Sequence, residues 1–265
     1  MRLLVLLFLC LATLTGQQSS PSKPASEGQT NQQKARAIID RMIVALGGQA
    51  YLTAQDAYTQ GRYGRFHNDA MVATNVFYRY WRWPDSERNE LTEARDIVYL
   101  FLGDKEYEVT FRGGHEMDPE KDESVKQALI RRRFSLAKVL REWLKDPGTI
   151  LLDEGPALAE GQMTEKITII NPQNEAVTLM VSTDTHLPVQ KVFSVRDPKS
   201  RERDEEVETY GGWRIVDGVN TPWSTQIKRN GALARSESVT AASYNKRAPD
   251  SYFTPKLVSH ANDKK

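Results

Sequence analysis

Apolar positions along this chain follow two rhythms, and the first is helical. Ala35, Ile38, Ile39, Met42, Ile43 and Leu46 recur three and four residues apart, so they share one face of a helix. Gly47 and Gly48 follow at once and supply the left-handed cap on which many helices end. A second stripe, Val125, Leu129, Phe134, Leu136, Leu140 and Trp143, predicts helix over 120–146, with room for a break near its middle and Pro147-Gly148 ending it.

The other rhythm alternates. Segments 57–66, 71–83, 86–91, 96–102 and 106–111 have strand composition, and Asn68-Asp69, Pro84-Asp85 and Gly103-Asp104 separate them as turns. Such short spacers make neighbouring strands antiparallel, because a parallel crossover needs a dozen residues or more. Within 97–102, Ile97, Tyr99 and Phe101 alternate with Val98, Leu100 and Leu102, so this strand is expected to be covered on both faces. The pattern resumes at 166–170, 177–182, 188–196, 205–213, 223–229 and 232–244, with Asp217-Gly218 and Asn230-Gly231 suited to two-residue hairpins. The tally is about ten or eleven strands and two main helices, a mainly β (α+β) chain with no repeat of fixed period.

The N-terminus adds a compartment to this picture. Arg2 precedes an apolar run from Leu3 to Leu14 and then Thr15, Gly16 and Gln17, the grammar of a signal peptide over 1–16. The run is too short for a stable membrane span, which needs roughly 20 apolar residues, and no second long run appears later. Cys10 is the only cysteine, and Leu9 before it is not the small residue that a lipidation signal wants, so Cys10 reads as part of the leader. Without it the exported chain has no disulfide or thiolate chemistry. Residues 17–32 are rich in Ser, Pro and Gln and read as a flexible tether, 33–258 as one domain, and 259–265 as a polar tail.

Charge points to no partner. Lys plus Arg number 36 against 35 for Asp plus Glu, so no bulk field draws nucleic acid or an anionic membrane. Arg131, Arg132 and Arg133 form a basic run that reads as a solvated helix face rather than a phosphate site. The zinc, acyl-transfer, nucleotide and calcium spacings are missing, and the four histidines are far apart, with His115, Glu116 and Asp118 the only dense titratable cluster. No metal or cofactor is expected. Glu205-Glu206 and Asp153-Glu154 read as surface charge, and no carboxylate stands out as half of a catalytic pair.

Aromatic residues are the distinctive feature. Phe77, Tyr78, Tyr80, Trp81 and Trp83 crowd one segment, and Tyr99, Phe101, Tyr107, Trp213 and Trp223 recur later, as core or as the wall of an apolar ligand site. Pairing outward from Asn230-Gly231 sets Ile227 opposite Ala234, Thr225 opposite Ser236 and Trp223 opposite Ser238. Small residues facing large ones would leave space on that face.

Several motifs together resemble the LolA/LolB-type lipoprotein-carrier superfamily, the outer-membrane lipoprotein-sorting proteins. They are the helix ending Ala45-Leu46-Gly47-Gly48; Tyr80-Trp81-Arg82-Trp83-Pro84-Asp85 leading to Arg88 and Glu90; and Asp184-Thr185-His186-Leu187-Pro188. Tyr210-Gly211-Gly212-Trp213, Asp217-Gly218-Val219-Asn220-Thr221-Pro222, Asn245 and Phe253 complete the set. The resemblance covers nearly the whole chain after the leader. It implies an incomplete antiparallel β-barrel wrapped over helices, an apolar cavity for acyl chains, and no cofactor. The helical insert 120–146, with its basic run, departs from the compact carriers.

The expectation is a periplasmic, non-catalytic carrier that shields lipid or lipoprotein acyl chains, with envelope donor or acceptor proteins as further partners. Its cavity would be lined by Phe77, Trp81, Trp83, Leu100, Leu102, Trp223 and Ile227. The alternatives are an envelope-stress sensor or adaptor that binds protein through the same sheet and, more weakly, a carboxylate-dependent hydrolase.

Overall fold

The computed structural model describes residues 29–196 and 201–258. The leader, most of the tether and the tail lie outside these. Helix α1 (Asn31–Leu46) starts two residues before the expected domain boundary, because Thr30 and Gln33 cap it reciprocally. It ends at Gly47, whose φ is 123°, and a Cβ there would sit 2.3 Å from the carbonyl oxygen of Gly218. The Asn220 amide also donates to the Ala45 carbonyl at 2.6 Å, so two motifs distant in sequence lock the helix end to one turn.

After the single turn α2 (Gln49–Thr53), six strands run as a meander: β1 (Asp56–His67), β2 (Ala70–Arg82), β3 (Ser86–Leu91), β4 (Ile97–Leu102), β5 (Lys105–Thr110) and β6 (Gly113–Glu116). The expected long helix is two, α3 (Glu123–Arg133) and α4 (Leu136–Arg141). The break falls at Phe134-Ser135, where Ser135 accepts from the Lys138 amide and starts the second helix as its N-cap. Next come β7 (Ile150–Ala159), β8 (Gln162–Ile170), β9 (Ala176–Ser182), β10 (Pro188–Arg196) and β11 (Arg203–Gly211). A small ribbon, β12 (Arg214–Val216) and β13 (Val219–Thr221), precedes β14 (Ser224–Arg229) and β15 (Ala232–Tyr244).

Thirteen strands form one sheet in the order β6-β5-β4-β3-β2-β1-β15-β14-β11-β10-β9-β8-β7. Every ladder is antiparallel, and the β1–β15 pairing fuses the two halves. The sheet is open, with β6 and β7 as its edges, so the fold is an incomplete barrel over helices. Strand β7 was not expected from sequence. Pro156 and a bulge at Asp153/Gly155 interrupt its alternation, which an edge strand tolerates because one side of it needs no donors.

The main core fills one half. Ile38, Ile39 and Met42 of α1, with Phe134, Leu140 and Trp143, pack on Ile167, Ile169, Val177, Leu179 and Phe193. Phe134 stacks on Phe193 at 4.6 Å. In the other half, the face away from the helices carries a smaller cluster, Val98, Leu100 and Val109, with Leu102, Tyr107 and Phe253 packed against it. Strand β4 is thus covered on both sides over most of its length.

Candidate functional site

Between the helices and the β1–β6 half lie two chambers of different chemistry. The first, of about 680 Å³, is bounded by Tyr51 of α2, the end of β2 and the α3–α4 pair. Trp81, the penultimate residue of β2, points to the helix side of the sheet, and Trp83 follows just beyond the strand, their rings 5.7 Å apart. Leu129, Ile130 and Ala137 face them from the helices. Arg141 enters the same space, its guanidinium 3.8 Å from the ring centre of Trp83, and donates to the Ala54 carbonyl at 2.8 Å. Burial lowers the Arg141 pKa.

The second chamber, about 860 Å³, lies over the helix-facing side of β1–β5 and of β15, β14, β11 and β10, and is strongly charged. Arg79 of β2 crosses to Glu237 of β15 at 3.0 Å, Lys191 of β10 meets Glu208 of β11 at 2.9 Å, and Arg131 of α3 meets Glu206 at 2.8 Å. Burial would raise the Glu237 pKa, but Arg235 and Arg79 outweigh it and hold that carboxyl down at about 2. Glu106 is the opposite case: burial, then Asp122 and Glu87, push it up to about 8 against the pull of Arg132. Glu87, Arg132 and Ser135 line both chambers, and the Arg132–Glu87 ion pair stands between them.

The residues anticipated as a cavity lining are spread over the fold. Trp81 and Trp83 line the first chamber, and Ile227 lines the charged one. Phe77 is fully buried on the helix side, under the Arg79 guanidinium at 4.9 Å. Leu100 and Leu102 lie on the opposite face, since the register Trp81↔Glu87↔Phe101 sets Leu100 with Arg88 and Tyr80. Trp223 packs near the small ribbon under the Arg214 guanidinium, 4.8 Å away.

Two sequence expectations are corrected. The last hairpin has a bulge at Ile227/Lys228, so Ile227 faces Arg235 and Thr225 faces Glu237. Long charged side chains, not small ones, occupy that face. Likewise the basic run is no solvated face. Arg131 pairs with Glu206, Arg132 with Glu87, and Arg133 with Glu175 at 3.0 Å, so acids on the sheet and its loops neutralise the helix. Glu206, expected at the surface, is 4% exposed for that reason.

Other features of the site were missed. Tyr51 gave no signal, lying in a helix of five residues. Arg141 did give one, a cation directly after Leu140 in the apolar stripe. Among the described residues no three His, Cys, Asp or Glu side chains are placed to share a metal ion, and no helix is long and apolar enough to cross a membrane.

An open antiparallel sheet folded over helices, with chambers between the two layers, is the LolA-like architecture, and this protein has it. No family model matches the sequence, and no curated protein matches it. Solved structures do. A DUF1329 family protein from Desulfovibrio piger superimposes with a TM-score of 0.55 at 14% identity, over 83% of this chain and 96% of that one. A LolA superfamily protein from Nitrosomonas europaea gives 0.53 at 10% identity, over 83% and 97%. A Vibrio parahaemolyticus domain described as outer-membrane lipoprotein-sorting gives 0.52 at 8% identity, over 83% and 97%. At these identities the likeness is one of fold.

Proposed function

We propose that the protein is a periplasmic, non-catalytic binding protein that shields an acyl chain of a lipid or lipoprotein in the tryptophan-walled chamber. The observation that carries this reading is the chamber itself. Trp81, Trp83, Leu129 and Ile130 surround about 680 Å³, inside the roughly 300–1,000 Å³ usual for small-molecule sites. Each methylene moved there from water gains about 0.8 kcal/mol, which is what makes an aqueous passage of acyl chains feasible. The charged chamber is a poor alternative, because a hydrocarbon there would displace water from ionised groups without replacing its hydrogen bonds. In this reading the leader 1–16 exports the chain, 17–32 tethers it, and 33–258 is the single binding domain.

Native mass spectrometry of the protein purified from its envelope fraction, with displacement of a fluorescent acyl probe, tests the reading. Co-purifying lipid and saturable displacement, both lost in Trp81→Asp, are the expected result. An empty protein that takes up no probe would transfer the reading to the envelope adaptor.

One observation favours a second reading. Glu106, buried in the polar chamber near Asp122 and Glu87 with its pKa pushed up to about 8, has the protonation state of a general acid. Turnover of a glycoside or ester panel that Glu106→Gln abolishes would establish the hydrolase instead.

A further inference from the structure

Among the described residues, the tryptophan-walled chamber holds one cation that no acid neutralises at contact distance. Arg141 is 4% exposed. The other cations on the wall all have carboxylate partners: Lys138 with Asp85 at 2.6 Å, Arg132 with Glu87, Arg133 with Glu175 at 3.0 Å and Lys126 with Glu123 at 3.7 Å. Arg141 has only the Ala54 carbonyl and the faces of Trp83 and Trp81, at 3.8 and 5.6 Å. Glu142, its neighbour in the chain, acts on it through space but pairs with Lys138 at 3.8 Å.

A guanidinium keeps its charge near neutral pH, and burying it without an anion is unfavourable even where aromatic faces compensate in part. One nitrogen is taken by Ala54, and the group borders the chamber. A guanidinium fork matches the paired oxygens of a carboxylate or phosphate. Tyr51, on the same wall, has its pKa raised by burial and by Tyr244, against the pull of Arg141, so its phenol stays protonated and able to donate.

We propose that the ligand of this chamber is an anionic amphiphile, whose acyl chain lies along Trp81, Trp83, Leu129 and Ile130 and whose carboxylate or phosphate is anchored by Arg141, with Tyr51 as a second donor. This inference rests on the acyl-binding reading above and adds the charge of the headgroup. The wall's other cations do not compete for that headgroup, because each is already held by its own acid. A neutral lipid of the same chain length would leave Arg141 unpaired, so the chamber selects for charge as well as for hydrocarbon.

The test is displacement of a fluorescent acyl probe from the intact protein by oleate, oleyl alcohol, lysophosphatidate and inorganic phosphate. Oleate or lysophosphatidate should displace at concentrations about tenfold or more below oleyl alcohol, the effect of one charge-assisted hydrogen bond. Which of the two anions is stronger distinguishes a carboxylate headgroup from a phosphate one. Inorganic phosphate alone should not displace the probe. Within Arg141→Gln the anions should displace no better than the alcohol does from that same variant, and Arg141→Lys should restore part of the preference. Equal displacement by oleate, lysophosphatidate and oleyl alcohol from the unaltered protein overturns the inference while leaving acyl binding intact, and this comparison needs no variant to fold. A preference for anions that survives Arg141→Gln also overturns it. Failure of every amphiphile to displace the probe, or of the probe to bind, would sink the acyl reading and this inference with it.

Discussion

The carboxylate of Glu237 on β15 takes the guanidinium of Arg79 on β2 through two hydrogen bonds, at 3.0 and 3.1 Å, across the intervening strand β1. Arg235 approaches the same carboxylate at 2.7 Å. Glu237→Gln would leave two partly buried cations facing a neutral amide, and removing one partner of a buried pair costs roughly 3–5 kcal/mol. Urea unfolding should show that loss as a lower midpoint. The pH dependence has a definite sign. The folded pKa of about 2 lies below the ordinary 4.5, so the stabilisation is complete above 4.5 and is lost as pH falls toward 2. Glu237→Gln should remove that acid-side slope, and a variant as stable as the parent would refute the pairing.

Glu106 reverses the sign. Its carboxyl is protonated at neutral pH because burial, Asp122 and Glu87 raise the folded pKa from 4.5 to about 8. The folded state therefore holds a proton that the unfolded chain releases. This contribution is fully present below pH 4.5 and is lost as pH rises through 8. Glu106→Gln imitates the protonated form at every pH. The gap in melting temperature between variant and parent should widen in the variant's favour from pH 5 to pH 8, whereas parallel curves would mean that Glu106 is ionised in the folded protein.

Most of the architecture was legible because turns and periodicity act locally. Gly47, Asn68-Asp69, Asp217-Gly218 and Asn230-Gly231 each mark a real boundary, and the stripe from Ala35 to Leu46 is the buried face of α1. Two of the motif residues prove to be fasteners between distant segments: Asn245 accepts from the Gln55 amide at 2.8 Å, and Asp217 accepts from the Tyr244 amide at 2.9 Å. Less of the lining was legible: of the anticipated residues, Trp81 and Trp83 reach the apolar chamber. One bulge beside Ile227 shifts the hairpin by a residue and replaces Ala234 and Ser236 with Arg235 and Glu237. Pairing between Arg131 and Glu206 joins residues of two separate elements, a juxtaposition that no local pattern encodes.

Trp81 and Trp223 are separated by the same logic. Trp81 faces Trp83 and Arg141 across the apolar chamber, so Trp81→Asp puts a carboxylate into the proposed hydrocarbon path. Acyl-probe affinity should fall at least about tenfold, since even a few methylenes denied burial exceed 1.4 kcal/mol. Trp223→Asp, which acts on the ribbon beside Arg214, should leave that affinity nearly unchanged. Replacing Arg131, Arg132 and Arg133 together by Gln should lower stability through Glu206, Glu87 and Glu175 while weakening the probe less than Trp81→Asp does. If the triple change weakened the probe more, the binding site would lie on α3.

On the opposite face, Arg88 and Glu90 form a buried ion pair of 2.7 Å at 1% and 0% exposure. One Arg88 nitrogen lies 3.4 Å from the carbonyls of Tyr252 and Lys256. The pair thereby clasps the C-terminal segment, whose Phe253 covers Val98, Leu100 and Val109. Arg88→Met should cost roughly 3–5 kcal/mol, because Glu90 would stay buried with its closest counter-charge gone, Arg95 lying farther off at 3.8 Å. The clasp lies across the sheet from the tryptophan chamber, so loosening it acts on stability and not on the ligand. Limited proteolysis should cut the variant within residues 250–258 before anywhere else in the domain, while folded material keeps the parent's affinity for the acyl probe. Loss of probe binding at full folding would place the C-terminal segment in the binding site.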